Sequence, residues 1–325
     1  MNRTRRRIIF ALILTTTFSS PIFCDNTSVD AAFDSLTDHL LKVYPETVTQ
    51  LGTWPDAYIG KLVPSVPPHF GIGVSASGTF ISTSAFTDAI TAIINTIDES
   101  ASGTTEKFTF SITEKIPIPA YSVNARLGGF FLPFDIGLYG SYLNFNKLSY
   151  NDFSGGIRYW SAGGDIRVAL MKGNAVLPKL SLGAGYIFTR MNLHTAGSKA
   201  YIIGPDSYTA RADTNVHFDM HTIFMQVQLS KKLLIFTPYV GARAVLNVAN
   251  SGYDYSYAAT RNNAIFIDET VSHTYTTPTW NFKNIQPQIY AGLGFSIFFF
   301  QLTAGGCWNP RNNLWSVNVN ACFKM

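Results

Sequence analysis

The sequence predicts an all-β fold: a transmembrane antiparallel β-barrel of about ten strands, roughly eight to fourteen at the limits, with an N-terminal helical plug segment. Three observations carry this reading. Short segments that alternate apolar with small or polar residues recur about ten times; in the clearest, Trp315, Val317, Val319, Ala321 and Phe323 interleave with Ser316, Asn318, Asn320 and Cys322. The chain opens with the pattern of an export signal. Beyond that signal no apolar run approaches the roughly 20 residues of a spanning helix, which leaves closed strands as the route across a bilayer. Composition agrees, with charged residues at 14%, against about 25% in a soluble domain, and aromatics at 14%.

Arg3, Arg5, Arg6 and Arg7 precede the apolar run 8–14 and a short polar tail, so residues 1–24 read as a signal peptide. Cleavage after Cys24, with Ile22 and Cys24 at the recognition positions, avoids a cut beside Pro21. Lipidation of Cys24 is the alternative, for which Phe23 and Ile22 are poor neighbours. Without the four arginines the 24 Lys+Arg fall to 20 against 20 Asp+Glu, so the mature chain is formally neutral. The basic balance then gives no reason to expect nucleic acid as a partner.

Residues 25–68 read as a helical plug and connector, and 69–325 as the barrel. Val29, Phe33, Leu36, Leu40, Val43 and Tyr44 follow Ser28 at helical spacing, and Pro45 is expected to close the helix. Trp54-Pro55 and Pro64, Pro67 and Pro68 suggest a stiff extended connector. The first strand, 69–82, turns Phe70, Ile72, Val74, Ala76 and Phe80 outward and Gly71, Gly73, Ser75, Ser77 and Thr79 inward. A second helix capped by Ser84 follows, then a short strand at 108–112 placed outside the membrane.

Further strands are expected at 119–130, from Phe134 onward, and at 156–172, 178–191, 216–230, 233–248, 285–297 and 299–308, before the terminal one. A hairpin about Lys231-Lys232 joins two of them. Short links near Pro133, Gly173, Lys231 and Phe298 alternate with long ones at 83–118, 146–153, 194–215 and 251–281. Outer-membrane barrels have short periplasmic turns and long external loops, so the short links mark the periplasmic end and both termini share it. Cys307 and Cys322 fall on adjacent strands; with Cys307 opposite Asn313 they lie about nine residues apart, roughly 30 Å at 3.3 Å per residue, and should not bond.

Parity turns Arg126, Asp165, Arg167, Arg243 and Tyr239 into the lumen. Such charges line a pathway or pair with each other and with the plug to fill a narrow barrel. The small inward residues Gly71, Gly73, Gly183, Gly185, Gly292 and Gly294 permit close approach by an occupant, and 26–68 is the candidate. His217, Asp219 and His221 share a face near an external strand end, with His194 and Asp213 nearby. They could share a cation or form a hydrolytic site, but the same face continues the lipid-facing Ile223 and Met225. Tyr253, Tyr255, Tyr257, Tyr275 and Trp280 read as an external gripping surface or an interfacial girdle. No nucleotide loop, zinc motif or nucleophile elbow is present, so neither enzyme nor cofactor is expected.

The alternation across 69–325, ending on Phe323, resembles bacterial outer-membrane β-barrel proteins, whose near-terminal aromatic is an assembly signal; here Lys324 and Met325 follow it. A helical segment ahead of a Gly-rich barrel is also similar to the long-chain fatty-acid transporters, whose N-terminal hatch plugs the lumen. The resemblance implies the bacterial outer membrane as location, with its lipid and the barrel-assembly machinery as partners. The expected function is a monomeric, porin-like passive channel for small, possibly hydrophobic, molecules. The alternative is a non-conducting, adhesin-type surface barrel that binds through its external loops.

Overall fold

Strict alternation forces successive side chains to opposite faces of a strand, so a sheet built from such segments has one apolar and one polar face. Closing it removes the edges that lipid could not hydrogen-bond. The computed structural model describes residues 42–63, 65, 68–81, 116–150, 153–203, 206–261, 264–276 and 284–325. Its strands are β1 (Lys61–Val63), β2 (Phe70–Ile81), β3 (Ile116–Phe130), β4 (Phe134–Tyr150), β5 (Phe153–Lys172) and β6 (Lys179–Ile203). They continue with β7 (Asp206–Ser230), β8 (Phe236–Arg261), β9 (Ala264–Thr276), β10 (Gln286–Ile297), β11 (Phe300–Asn309) and β12 (Leu314–Lys324).

Ten of these form a closed antiparallel barrel in the order β3-β2-β12-β11-β10-β8-β7-β6-β5-β4, with β3 pairing β4 to complete the ring. The first and last barrel strands are neighbours, Ala76 opposite Val319. β1 adds in parallel to the end of β3, and β9 pairs only with the far half of β8.

The two faces separate as the alternation requires. Val74, Val123, Leu138, Ile166, Met225, Val240 and Val319 are exposed outward, whereas Ser75, Asn124, Asp165, Gln226, Arg243 and Asn318 are buried inside. An apolar belt of this extent around a closed sheet meets lipid, not water. The chain is a closed, membrane-spanning β-barrel.

Four features differ from expectation. The described helical residues are 42–49 and run through Pro45; the burial of this segment in the lumen offsets the one backbone bond that proline removes. The spans 146–153, 194–215 and 251–281 are largely strand. β6, β7 and β8 are 25, 25 and 26 residues long, more than twice the roughly 9–11 that cross a bilayer. Above the membrane both sheet faces meet water, so pairing continues where the apolar alternation stops. The β7–β8 hairpin turns at Leu234-Ile235, closed by a Leu233–Phe236 bridge, and not at Lys231-Lys232.

Finally, Cys307 lies opposite Ser316, and Cys322 opposite Gln301, because the β11–β12 turn closes on the Asn309–Leu314 pair. Both thiols are free and buried. The second helix, the 108–112 strand and the helical positions 29–41 fall outside the described residues.

Candidate functional site

The lumen is occupied by the chain itself. Residues 42–60 descend through it from the level of Thr79 to the end of β3, touching inward residues of β2, β3, β5, β7, β8, β10 and β12 along the way. The helix is buried on all sides, Val43, Val48 and Thr47 being fully covered. Its apolar side, Tyr44, Val48 and Leu51, packs on Tyr139, Tyr159, Met220, Phe224 and Val245. Tyr44 meets Tyr159 edge-on with ring centroids 5.6 Å apart.

The last turn of the helix leaves carbonyls without an intrahelical donor, and below it the backbone is irregular, so these polar groups need partners from outside the segment, since each one buried unpaired is costly. The wall supplies them. Ser77 Oγ donates to Thr47 O at 2.8 Å, Ser75 Oγ to Leu51 O at 2.6 Å, and Arg243 Nη1 to Thr49 O at 2.8 Å. Gln228 Nε2 donates to Trp54 O and Arg167 Nη1 to Asp56 O, at 2.8 and 2.9 Å. In the other direction the Ala57 N–H donates to Ser230 Oγ at 2.8 Å and the Ile59 N–H to Asp135 Oδ2 at 3.0 Å. Trp54 Nε1 donates to Asn124 Oδ1 at 3.0 Å.

Register builds an ion cluster beneath this seam. Arg126 pairs across with Gly137, Gly137 with Asp165, and Asp135 with Arg167, which places four charges on adjoining rungs. Arg126 donates to Asp135 at 2.6 Å and to Asp165 at 2.7 Å, and Arg167 Nε to Asp135 at 2.8 Å. All four side chains are at most 2% exposed, so the charges are compensated within the wall and against the plug backbone.

Arg243 sits apart, its guanidinium 4.8 Å from the Tyr290 ring centre and 5.1 Å from that of Phe224, with Gln226 Oε1 accepting at 3.0 Å. Tyr239 stands beside Tyr290, 6.4 Å between centroids.

Two carboxylates of the plug are buried in different company. Glu46 accepts from Asn309 Nδ2, and burial pushes its pKa up to about 7 against the opposing influence of Asn309, Gln288 and Arg243. Asp56 is paired with Lys324 and, at 3.6 Å, with Lys179. Burial alone would raise Asp56, but the two ammonium groups outweigh it and hold the carboxyl well below the ordinary range.

The wall glycines divide. A Cβ on Gly71 would lie 2.5 Å from Trp54 Cη2, and one on Gly294 2.7 Å from Pro55 Cγ, so these two face the plug. At Gly73, Gly183, Gly185 and Gly292 the nearest side chains belong to Cys322, Arg167, Phe224 and Tyr239, all wall residues. There the missing Cβ makes room for a large neighbour on the wall.

In the external cluster Arg190 pairs with Asp219 through two bonds of 2.6 Å, and Tyr186 Oη lies 2.7 Å from His221 Nδ1. The described residues include no group of three His, Cys, Asp or Glu that could hold a metal ion. Sequence reasoning missed Asp135, Asp56 and Lys324. Of these only Asp135 carries a signal, being inward by the same parity that turns Phe134 and Ile136 outward.

No family model matches the chain, and no curated protein matches it. Among solved structures it is similar to the translocator domain of autotransporter NalP from Neisseria meningitidis, at 9% identity and TM-score 0.34, covering 94% of this chain and 100% of that one. A FadL homologue of Pseudomonas aeruginosa gives 8% identity and TM-score 0.26 over 78% of this chain and 90% of its own. The TodX monoaromatic hydrocarbon channel, as a deletion mutant, gives 7% and 0.23 over 79% and 88%.

Proposed function

We propose that the barrel is a passive uptake channel for small apolar molecules, closed at rest by residues 42–60. The observation that carries this reading is the division of the lumen. Its external half has an apolar wall, Tyr139, Tyr159, Ile187, Met220 and Phe224, covered by the plug residues Tyr44, Val48 and Leu51, whereas residues 52–60 below are held mainly by hydrogen bonds. An apolar solute gains burial on that wall by taking the place of Tyr44, Val48 and Leu51. Hydrogen bonds between plug and wall can be exchanged for bonds to water at small net cost, typically about 1 kcal/mol each.

A second reading rests on β6 to β9. These strands project far above the membrane and, with a filled lumen below, could serve as a non-conducting binding platform. Single-channel conductance of the refolded chain in a planar bilayer, with and without residues 26–68, separates the two. Current that rises on deletion supports the closed channel. Silence in both forms, with the barrel folded by circular dichroism, overturns it and leaves the external strands as the working part.

A further inference from the structure

The four short turns at the periplasmic end have a chemistry opposite to that expected of turns in water. Phe131 is 68% exposed, Val176 83%, Leu234 92% and Phe298 94%, each at or beside the tip of a different hairpin. Three of these tips also hold a bulky residue in the left-handed backbone region: Phe131 at φ 60°, Leu234 at 54° and Phe298 at 51°. Glycine or asparagine adopts that conformation with little penalty, and a Cβ-bearing apolar residue does not. At the external β11–β12 turn the corresponding position is Asn313, φ 50°, as turn chemistry favours. The periplasmic tips therefore keep large apolar side chains against both solvation and backbone preference.

Two further observations say what covers them. The tips continue the lipid-facing belt without a break: Phe300, Leu170 and Phe236 on the adjoining strand ends are exposed in the same way. The exposed charged side chains around them are of one sign. Lys61, Lys172, Lys231 and Lys232 are at least partly exposed at this end, whereas its acids among the described residues, Asp56 and Asp135, are buried. Lys231 Nζ also donates to Asn174 O, Ala175 O and Leu177 O at 3.0, 2.8 and 3.2 Å, which ties the β7–β8 turn to its neighbour.

We propose that these four turns are immersed in the periplasmic leaflet, with Phe131, Val176, Leu234 and Phe298 in its acyl–headgroup boundary and Lys61, Lys172 and Lys232 holding anionic phospholipid headgroups. Apolar tips with interspersed lysines have the composition of interfacial membrane segments. On this reading the barrel ends inside the bilayer at that side, and the lipid-facing surface includes the hairpin turns as well as the strands.

The test uses the full refolded chain in phosphatidylcholine vesicles with a minor fraction of phosphatidylglycerol. An environment-sensitive fluorophore is placed through Leu234→Cys or Phe298→Cys, in a background with Cys24, Cys307 and Cys322 replaced by alanine. Asn312→Cys in the external turn is the aqueous control. Immersion predicts blue-shifted emission, quenching by spin-labelled lipid and protection from iodide, and neutralising Lys172 or Lys232 to Gln should lower the preference for phosphatidylglycerol several-fold. Iodide quenching equal to that of the Asn312 probe overturns the proposal and makes the crown a docking face for a periplasmic protein. Should labelled variants fail to fold, Leu234→Gly and Phe298→Gly carry the test. Both relieve the backbone, so immersion predicts a thermal midpoint raised or unchanged in detergent but lowered in vesicles, and equal shifts in the two media overturn it.

Discussion

Asp135 of β4 grips the Arg167 guanidinium of β5 through both carboxylate oxygens, at 2.8 Å to Nε and 3.1 Å to Nη2. The same oxygens take Arg126 and the Ile59 N–H. One side chain therefore joins two wall arginines to the plug. Replacing Asp135 by Asn leaves two buried guanidiniums facing Asp165 alone, and breaking such a pair typically costs about 3–5 kcal/mol. D135N is expected to lower the thermal midpoint of the folded barrel, followed by heat-dependent gel mobility. A midpoint equal to wild type would mean that the cluster is solvated.

Gly71 and Trp54 give a test of the plug that leaves the wall cluster intact. The Cβ of Gly71→Val would overlap the Trp54 ring and also come within 2.9 Å of Phe323 O. Overpacking of this kind typically costs about 1–3 kcal/mol, and the removable part of the contact is the plug. Limited proteolysis with mass spectrometry should therefore show faster cutting within 42–60. Gly140→Ala, whose Cβ would meet nothing closer than Ser161 O at 3.8 Å, is the neutral comparison. Equal cutting in G71V and G140A would show that Trp54 does not bear on the wall in solution.

The extent to which these relations are legible in the sequence follows from which residues obey a period. Arg126, Asp165 and Arg167 could be placed in the lumen because their outward neighbours, Val123, Leu127, Ile166 and Val168, are apolar in unbroken alternation. Asp135 obeys the same parity. Residues 50–60 obey none, since their backbone is irregular and satisfied by the wall, so neither the Asp56 pairing nor the Trp54–Asn124 bond has a local signature. The extra length of β6 to β8 was hidden for a related reason, because strands with water on both faces need no apolar alternation. Cys307 pairs with Ser316 through the length of the β11–β12 turn, which side-chain pattern does not encode. The apolar turn tips are plain in the sequence as Phe131-Leu132, Leu233-Leu234-Ile235 and Phe298-Phe299, but their left-handed backbone is visible only in the fold.

Glu46 makes plug docking depend on pH. Its docked carboxyl has a pKa of about 7 against an ordinary value of 4.5, so the docked state binds the proton more tightly. A raised acid pKa contributes stability that is complete below the free value and is lost as pH rises through the docked one. The difference corresponds to about 3 kcal/mol between the ends of that window. Docking should weaken between about pH 4.5 and pH 7, and Glu46→Gln should flatten the profile. Protease sensitivity of 42–60 measured across this range checks both, and a profile unchanged in E46Q would assign the dependence to another group.

Thr47 and Thr79 allow the closed state to be locked. Their hydroxyl oxygens are 2.7 Å apart, one on the plug helix and the other on β2, so the two side chains meet at their tips, where a pair of cysteines would bring its sulfurs together. In T47C/T79C, with Cys24, Cys307 and Cys322 replaced by alanine to prevent exchange, oxidation fixes the helix to the wall while the rest of the barrel is unchanged. If the plug must leave its seat for solute to pass, the oxidised protein should show no openings in a planar bilayer, and reductant should restore those of the unlocked chain. The reduced form serves as its own control for any effect of the substitutions. Openings that persist after complete oxidation, verified by mass spectrometry of the linked peptides, would place the conducting path outside the plug seat.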